Sequence, residues 1–418
     1  MRALAAVAAL LAVAGGPATA TAQPEGSPPT VALRVVSYNA YGMPFTSVRG
    51  ERLREAARRI AGMSPGLVAM QEVWVEEDAQ AVRAILAEGG LPHSASVASS
   101  APAAVGGSGL LIASAWPIDD VRFTPFTLGR RPHTPWHLDW MSRKGVLRAT
   151  VHAPWGEMIL ATTHMQADYR TASYQPVRIA QALQVADAVG ARDPGSPLDP
   201  GATSRSLPVV LAGDVNARFE DPDFGILLAA AELVPTAGDC DLDAVLVRGG
   251  TAHDLRPVKV VRVLEDQVEV AGEACFLSDH AALLVDLAVP ACGAGGCPDR
   301  SADSGALGEP GPAFVARPAD AYRRAAAVVS AAASAARTLL GVSALLGALA
   351  LVGAVLAWRR ARSAARPWLL RLAAVAAVLA ALYAAWLAIG YAPHSMDGLA
   401  AVGRRLELDA AAGAAPPP

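Results

Sequence analysis

The chain has few cysteines, no obvious covalent nucleophile and no internal repeat. Four cysteines occur among 418 residues, and no cysteine or serine stands in a recognisable nucleophile motif, which argues against a covalent catalytic intermediate. The absence of a fixed repeat period excludes solenoid and propeller architectures.

An excess of positive charge is also lacking, since the net charge is −3. Residues 23–290 hold 22 Lys and Arg against 31 Asp and Glu, which gives −9, whereas the rest of the chain carries +6. An acidic region suits cation binding and is poorly suited to gripping long nucleic acid. A nuclease with a locally basic groove is disfavoured rather than excluded.

The N-terminus is typical of an exported protein. Met1 and Arg2, the apolar run 3–14 and the small-residue site 20–22 predict a signal peptide over residues 1–22. A membrane anchor is the alternative, but the run is short for a span. Export makes the cysteines potential disulfide partners, and the sequence leaves open the pairings Cys292 with Cys297 and Cys240 with Cys275.

Two uncharged stretches predict a transmembrane hairpin at residues 338–392. Residues 338–358 and 372–392 are 21 residues each, long enough at about 1.5 Å per residue to cross a hydrocarbon core of about 30 Å. The arginine-rich connector is expected in the cytoplasm. The N-terminal region and the tail 393–418 then face the extracellular or periplasmic side of the cell membrane. Two buried core helices are the alternative, but soluble helices of this length carry polar faces.

Between the two ends, strand and helix patterns alternate over residues 31–290. This alternation predicts one layered α/β domain, followed by a Gly- and Pro-rich linker at 291–337. The expected strands are 33–37, 67–70, 109–113, 146–151, 158–163, 209–212, 244–247, 258–263 and 281–287, and the expected helices are 51–62, 77–86 and 177–189.

Polar side chains recur where these apolar strands begin or end. The central example is LPVVLAGDVNA, in which the apolar run 209–212 leads through Gly213 to Asp214 and Asn216. A turn tolerates such residues without any function, but six similar placements are unlikely by accident if they converge at one sheet edge. The set comprises Asn39, Glu72, His164, Asp214, Asn216, Asp243, Asp279 and His280.

Metal-assisted phosphoester hydrolysis is the chemistry that needs such a set. A hard cation such as Mg²⁺ takes oxygen ligands and keeps several waters, so one or two carboxylates suffice. Glu72 is the expected metal ligand, with Asn39 and Asp279 as companions. Mn²⁺ or another divalent cation is the alternative.

The remaining residues are assigned to proton transfer and phosphate binding. His280, oriented by Asp243, is expected to deprotonate the attacking water. Asp214 and Asn216 are expected to orient this water or hold the phosphate, and His164 to donate a hydrogen bond to the pentacovalent oxygens.

The ordered segments SYNAYG, MQEVW, THMQA, GDVNA, LDAVLV and SDHAALLVDL resemble the exonuclease–endonuclease–phosphatase superfamily, the relatives of DNase I. The resemblance covers residues 33–287 and implies a four-layer αββα sandwich with these site roles. One departure is Ala244, because family members usually carry an aromatic residue after the aspartate that corresponds to Asp243.

A further segment, DWMSRKGVL, resembles the neutral sphingomyelinases, in which such an Asp and Lys pair serves headgroup binding or activation. Here the pair is Asp139 and Lys144; a solvated lysine beside a turn glycine is the alternative. Trp74, Trp136 and Trp140 are expected near the mouth, to contact a bilayer or a quaternary ammonium group or simply to pack.

The sequence thus predicts a membrane-anchored, Mg²⁺-dependent phosphodiesterase that acts on a phospholipid. Sphingomyelin, cleaved to ceramide and phosphocholine, is the expected substrate. The alternatives are an exported, membrane-anchored nuclease of the DNase I type and a catalytically silent surface binding module.

Overall fold

The computed structural model describes residues 30–101, 106–129, 137–169, 174–190, 207–237, 241–292, 318–361 and 367–413. The predicted signal peptide lies outside the described residues, as do Trp136, Cys240 and Cys297. Cys292 is disulfide-bonded, whereas Cys275 is a free thiol. The pairing of Cys275 with Cys240 is therefore not formed.

The described strands and helices alternate as the sequence predicts, and every predicted element is present. The strands are β1 (Thr30–Asn39), β2 (Leu67–Gln71), β3 (His93–Val97), β4 (Leu110–Ser114), β5 (Ile118–Pro125), β6 (Gly145–Ala153), β7 (Gly156–His164), β8 (Val209–Asp214), β9 (Val234–Pro235), β10 (Asp243–Arg248), β11 (Arg256–Val263), β12 (Val268–Val270), β13 (Glu273–Cys275) and β14 (Ala282–Pro290). The helices are α1 (Arg49–Gly62), α2 (Glu76–Glu88), α3 (Gln175–Ala188), α4 (Pro222–Ala231), α5 (Pro318–Ala361), α6 (Pro367–Ala385) and α7 (Ala392–Gly413).

Two sheets of six strands each form the centre of the domain that precedes residue 293. Their strand orders are β11-β14-β1-β2-β4-β3 and β5-β6-β7-β8-β10-β9. The pair β1 and β2 is parallel, as is the pair β7 and β8. The carboxyl ends of two neighbouring strands therefore meet at one edge of each sheet.

The sheets pack face to face, with helices on both outer faces. Leu33 and Val35 of β1 meet Leu160 of β7 and Val210 of β8 in the core between the sheets. Helices α1 and α2 cover the outside of the first sheet, and α3 and α4 cover the second. The central strands are buried on both faces, which explains their continuous apolar sequences. The predicted four-layer αββα sandwich is confirmed.

The elements that the sequence patterns missed have weak signals. Strand β5 lies at a sheet edge and is mostly exposed, and half of the residues of its sequence IDDVRFTP are polar, so no apolar run marks it. Helix α4 has ten residues, and its almost uniformly apolar PDFGILLAAA lacks a helical period. The short strands β3, β9, β12 and β13 were missed as well.

The linker prediction differs from the structure from Pro318 onward. Helix α5 has 44 residues and begins there rather than near residue 338. Its first half buries Tyr322, Ala325 and Val329 in the same core as α3 and α4. This segment is rich in alanine, whose small side chain gives a faint hydrophobic period, and for that reason it resembles a linker in sequence.

The C-terminal segments form a helical hairpin that we call the stem, which comprises α5, α6, the π-helical turn Trp386–Tyr391 and α7. Both halves of the stem are long and apolar enough to cross a membrane, and their apolar windows are mostly exposed. Exposed leucines, with Leu345 61% and Leu379 61% accessible, are unlike the buried core helices that the alternative requires.

Candidate active site

Four strands deliver polar side chains to one edge of the sandwich. Asn39 ends β1, and Glu72 follows β2 directly. His164 ends β7 beside Asp214 at the end of β8, with which it is in register. Because the two sheets face each other, these four strand ends open at the same mouth.

Asp214 lies at the centre of this cluster. Its Oδ2 accepts a hydrogen bond from Asn39 Nδ2 at 2.9 Å and lies 3.5 Å from His164 Nε2 and 4.0 Å from His280 Nε2. Its Oδ1 accepts from the backbone N–H of Asn216 at 3.0 Å. Burial and the charge of Asp243 raise the pKa of Asp214 to about 7. A buried carboxyl group therefore stands ready to exchange a proton near neutral pH.

His280 and Asp243 form the closest pair in the site. Asp243 begins β10 and lies opposite Asp214 in the register of β8 and β10. Its Oδ2 lies 2.6 Å from His280 Nδ1, which leaves Nε2 of His280 facing Asp214. Burial lowers the pKa of His280, but the hydrogen bond and charge of Asp243, together with Asp214 and Asp279, outweigh burial and raise it to about 9.

Glu72 is held in a left-handed backbone conformation, with φ of 60°. Two glycines allow it: a Cβ on Gly42 would lie 2.2 Å from the Glu72 carbonyl oxygen, and one on Gly109 would lie 3.1 Å from the Glu72 Cα and 2.9 Å from Trp74. The carboxylate accepts from Asn39 Nδ2 at 3.1 Å and from Trp74 Nε1 at 3.4 Å. Burial raises the pKa of Glu72, and the charge of Asp279 raises it further.

His164 and the predicted Asp139–Lys144 pair form one buried network. Lys144 is 6% exposed, so the alternative of a solvated lysine is wrong. Its ammonium group lies 3.0 Å from Asp139 Oδ2, 2.8 Å from the Met165 carbonyl oxygen and 3.0 Å from His164 Nε2. Because an ammonium group can only donate, Nε2 accepts, and burial together with Lys144 keeps the pKa of His164 well below its usual value.

This arrangement bears on the proposed donor role of His164. With Nε2 accepting from Lys144, the ring proton resides on Nδ1, a buried atom that has no hydrogen-bond partner among the described residues. Lys144 itself points at His164 rather than at open solvent. Its positive charge also acts on the neighbouring carboxyl groups, because it opposes the rise in the pKa of Glu72 and of Asp214.

Helix α3 supports the loop after His164 through residues that the sequence did not single out. Arg178 is 1% exposed and binds Asp168 at 2.6 Å and Asp223 at a short distance. In the same loop, Gln166 donates to Asp139 at 2.8 Å. An arginine within a helix resembles a surface residue in sequence, so only the structure identifies this buried ion pair.

The donor set fits a hard divalent cation. Ligand atoms of Asp214, Asp243 and His280 lie within 4.8 Å of one another. Asp243 Oδ1 is buried without a hydrogen-bond partner among the described residues, and Glu72 adds a carboxylate nearby. Asn39 turns its amide nitrogen toward Glu72 and Asp214 while its oxygen accepts from the Tyr41 N–H at 3.1 Å. In this arrangement Asn39 orients the two carboxylates.

The remaining predicted residues lie around this centre. Asp279 is exposed, near enough for its charge to act on Glu72 and His280. Asn216 donates from Nδ2 to the Met165 carbonyl at 3.1 Å. Trp74 is only 7% exposed and packs against His164, which makes it part of the site's wall. The side chain of Trp140 lies outside the described residues.

The profile of the Endonuclease/Exonuclease/phosphatase family matches residues 36–280, which is more than half of the chain. The chain belongs to this family. The matched segment begins in β1 and ends at His280, so it contains all four strand ends and the His280–Asp243 pair. The expected family resemblance is thereby confirmed.

Within the family, relatives named for sphingolipids are the most informative. The chain is 30% identical over 284 residues to a putative neutral sphingomyelinase of Drosophila melanogaster, covering 61% of this chain and 60% of that protein. It is 32% identical over 194 residues to an inositol phosphosphingolipids phospholipase C of Schizosaccharomyces pombe, covering 44% and 41%. The chain therefore spans less than two thirds of the length of these relatives. A sphingomyelinase C from Streptomyces griseocarneus matches with a TM-score of 0.46 at 21% identity, covering 61% of this chain and 99% of that chain.

Proposed function

We propose that the chain is a metal-dependent phosphodiesterase that hydrolyses a membrane sphingolipid. Sphingomyelin, cleaved to ceramide and phosphocholine, is the substrate that we favour. The observation that carries the proposal is the convergence of the strand-end residues on Asp214, in a chain whose relatives are named for cleaving sphingolipids. The exposed apolar halves of the stem support a membrane location, with the catalytic domain on the extracellular or periplasmic side.

Mg²⁺ is the proposed cation, with Glu72 as its principal ligand and Asp279 and Asn39 as companions. Binding through Asn39 requires its amide group to turn over, since its nitrogen faces the carboxylates. When bound, such a cation polarises a phosphoryl oxygen and stabilises charge on the leaving group. The negative charge of the clustered carboxylates attracts a cation and so favours the metal-bound state of the site over the metal-free state.

The chain's own residues would provide the proton transfer. Asp243 holds Nδ1 of His280, so Nε2 is the atom that would accept a proton from water once a bound cation offsets the carboxylate charges that raise the pKa of this histidine. Asp214 and Asn216 would orient this water and the phosphate. His164 would donate a hydrogen bond to a phosphoryl oxygen, which requires its ring proton to move from Nδ1 to Nε2 and Lys144 to turn away from Nε2.

The test is hydrolysis by the full-length chain in detergent micelles, with sphingomyelin, phosphatidylcholine, an inositol phosphosphingolipid and plasmid DNA as substrates. We expect cleavage of sphingolipid with Mg²⁺ and its loss with EDTA. His280→Ala should reduce the rate by about 10²–10⁴-fold, and His93→Ala, in β3 outside the site, is the matched control. Nicking of DNA with intact lipids would instead support the nuclease, and a folded chain that binds no Mg²⁺ and cleaves none of these substrates would support a silent module.

A further inference from the structure

The stem and the catalytic domain meet in a fixed register along α3. Gln181 of α3 donates to the Leu128 carbonyl at 3.0 Å, and the Leu128 side chain packs on Gly398 of α7. Further along both helices, Arg405 of α7 forms two hydrogen bonds with Asp187, at 2.7 and 2.8 Å. The two helices therefore run side by side in the same direction.

The N-terminal end of α3 lies at the mouth of the active site. Arg178 in its first turns binds Asp168 and the Gln166 carbonyl, in the loop that directly follows His164. Leu128 lies at this level too, because the N–H of nearby Phe126 donates to the Lys144 carbonyl at 2.9 Å. Since α7 runs parallel to α3, its N-terminal end also lies on the mouth side.

The apolar half of the stem consequently leaves the catalytic domain on the mouth side. Helix α7 begins at Ala392, which at about 1.5 Å per residue lies about 9 Å from Gly398 along the helix axis, toward the mouth side. Helix α5 agrees, because Val329 lies beside Gly403 of α7 and the apolar segment that starts at residue 338 is about 14 Å further in the same direction. The headgroup layer of a bilayer is about 5–7 Å thick. The mouth of the active site therefore lies at or just above the headgroups.

Exposed aromatic side chains occur on the same side. Phe45, 86% exposed, lies in the segment that follows the carboxyl end of β1. Phe276, 52% exposed, comes shortly before the turn that presents Asp279 and His280. Aromatic side chains exposed to this extent are suited to the interfacial region of a bilayer.

We propose that the stem holds the active-site mouth against the bilayer from which it emerges, so that the enzyme hydrolyses lipids of its own membrane. The proposal rests on the proposed function for its substrate. The orientation that it assigns does not depend on that function, because it rests on the register of α7 with α3 and of α5 with α7. A bound lipid would present its phosphodiester to Asp214 and His280 while its acyl chains stay in the bilayer.

Orientation is tested without turnover by site-specific labelling. In full-length chains that carry Cys275→Ser, an environment-sensitive dye is attached at Phe45→Cys or, as the matched control, at Val258→Cys, and the signal of the Cys275→Ser chain without an introduced cysteine is subtracted as background. Val258 is 55% exposed at the opposite end of the first sheet. In phosphatidylcholine vesicles with nitroxide-labelled headgroups, we expect strong quenching at position 45 and little at position 258. Equal quenching, or stronger quenching at 258, would overturn the proposal.

Access to substrate is tested by placing sphingomyelin either in the vesicles that hold the protein or in separate vesicles. Tethering raises the effective substrate concentration, so the shared-membrane rate should exceed the separate-vesicle rate by at least about tenfold. Equal rates in the shared and the separate vesicles would refute the proposed orientation. The absence of hydrolysis in vesicles and in micelles would refute the proposed function, and the labelling experiment alone would then decide the orientation.

Discussion

Asp214 and His280 show how burial sets protonation within a single cluster. Three carboxyl groups, those of Asp214, Asp243 and Glu72, are gathered with one buried cation, Lys144, which is already paired with Asp139. In the absence of a metal, the cluster reduces its negative charge by holding protons. Burial and the charge of Asp243 raise the pKa of Asp214 to about 7. Burial lowers the pKa of His280, but the neighbouring carboxylates outweigh it and raise this pKa to about 9.

The raised pKa of His280 predicts a pH-dependent stability in the metal-free protein. A histidine whose pKa rises from 6.5 to about 9 on folding stabilises the folded state fully below pH 6.5, and this stabilisation is lost as the pH rises through 9. Wild type should therefore lose about 1–3 kcal/mol relative to His280→Gln across this window. The measurement is unfolding in EDTA at several pH values; a constant difference between the two chains would reject the charged His280–Asp243 pair.

The strand-end residues could be predicted because a buried strand of a layered α/β fold has an unbroken apolar sequence that ends abruptly. Asn39, Glu72, His164 and Asp214 all follow such runs, and parallel neighbours place their ends together. The contacts of Lys144 and Asn39 could not be predicted. Whether a lysine is solvated or buried behind a histidine depends on side-chain packing between β6, β7 and the turn that carries Asp139, which no local pattern encodes.

At the scale of elements, the turn after β2 is shaped by its neighbours rather than by its own sequence. Glu72 has a positive φ, which is costly for a residue with a Cβ. The N–H of Gly42 donates to the Glu72 carbonyl at 3.0 Å, and Gly109 passes close to its Cα. The segment after β1, through Gly42, and the segment before β4, through Gly109, thus fix the backbone of Glu72, which lies in neither segment.

Gly109→Ala should therefore weaken metal binding without touching a ligand. The added methyl group meets Trp74 and the backbone of Glu72, and the φ of Gly109 is itself positive at 68°. We expect the Mg²⁺ concentration for half-maximal activity to rise about tenfold, because displacing the Glu72 carboxylate should weaken Mg²⁺ binding by about 1.4 kcal/mol. Glu72→Gln should raise the same concentration. Gly62→Ala, where a Cβ meets nothing within 4 Å, is the control. An unchanged Mg²⁺ requirement in Gly109→Ala would show that the turn tolerates the shift.

At the scale of the whole molecule, the stem is part of the catalytic domain's core. Tyr322 and Val329 of α5, with Leu399 and Leu406 of α7, are buried against α3 and α4. A flexible tether would leave these side chains in solvent and would not form the Arg405–Asp187 pair. In the proposed membrane-spanning arrangement, a stem built in this way also transmits its orientation to the domain.

Removal of the stem should consequently destabilise a domain that still contains every proposed site residue. A chain that ends at residue 317, which keeps every cysteine, would expose Leu183 and neighbouring apolar side chains of α3 and α4. Each large apolar side chain that loses its cover costs about 1.5–3 kcal/mol, so the unfolding midpoint should fall by about 10 °C in the same detergent. Full-length Arg405→Ala, which breaks the Asp187 pair but keeps the apolar contacts, should show a smaller fall. If the truncated chain unfolds at the full-length temperature and stays monomeric, the first half of α5 and α7 contribute nothing to the core, and the stem is a tether after all.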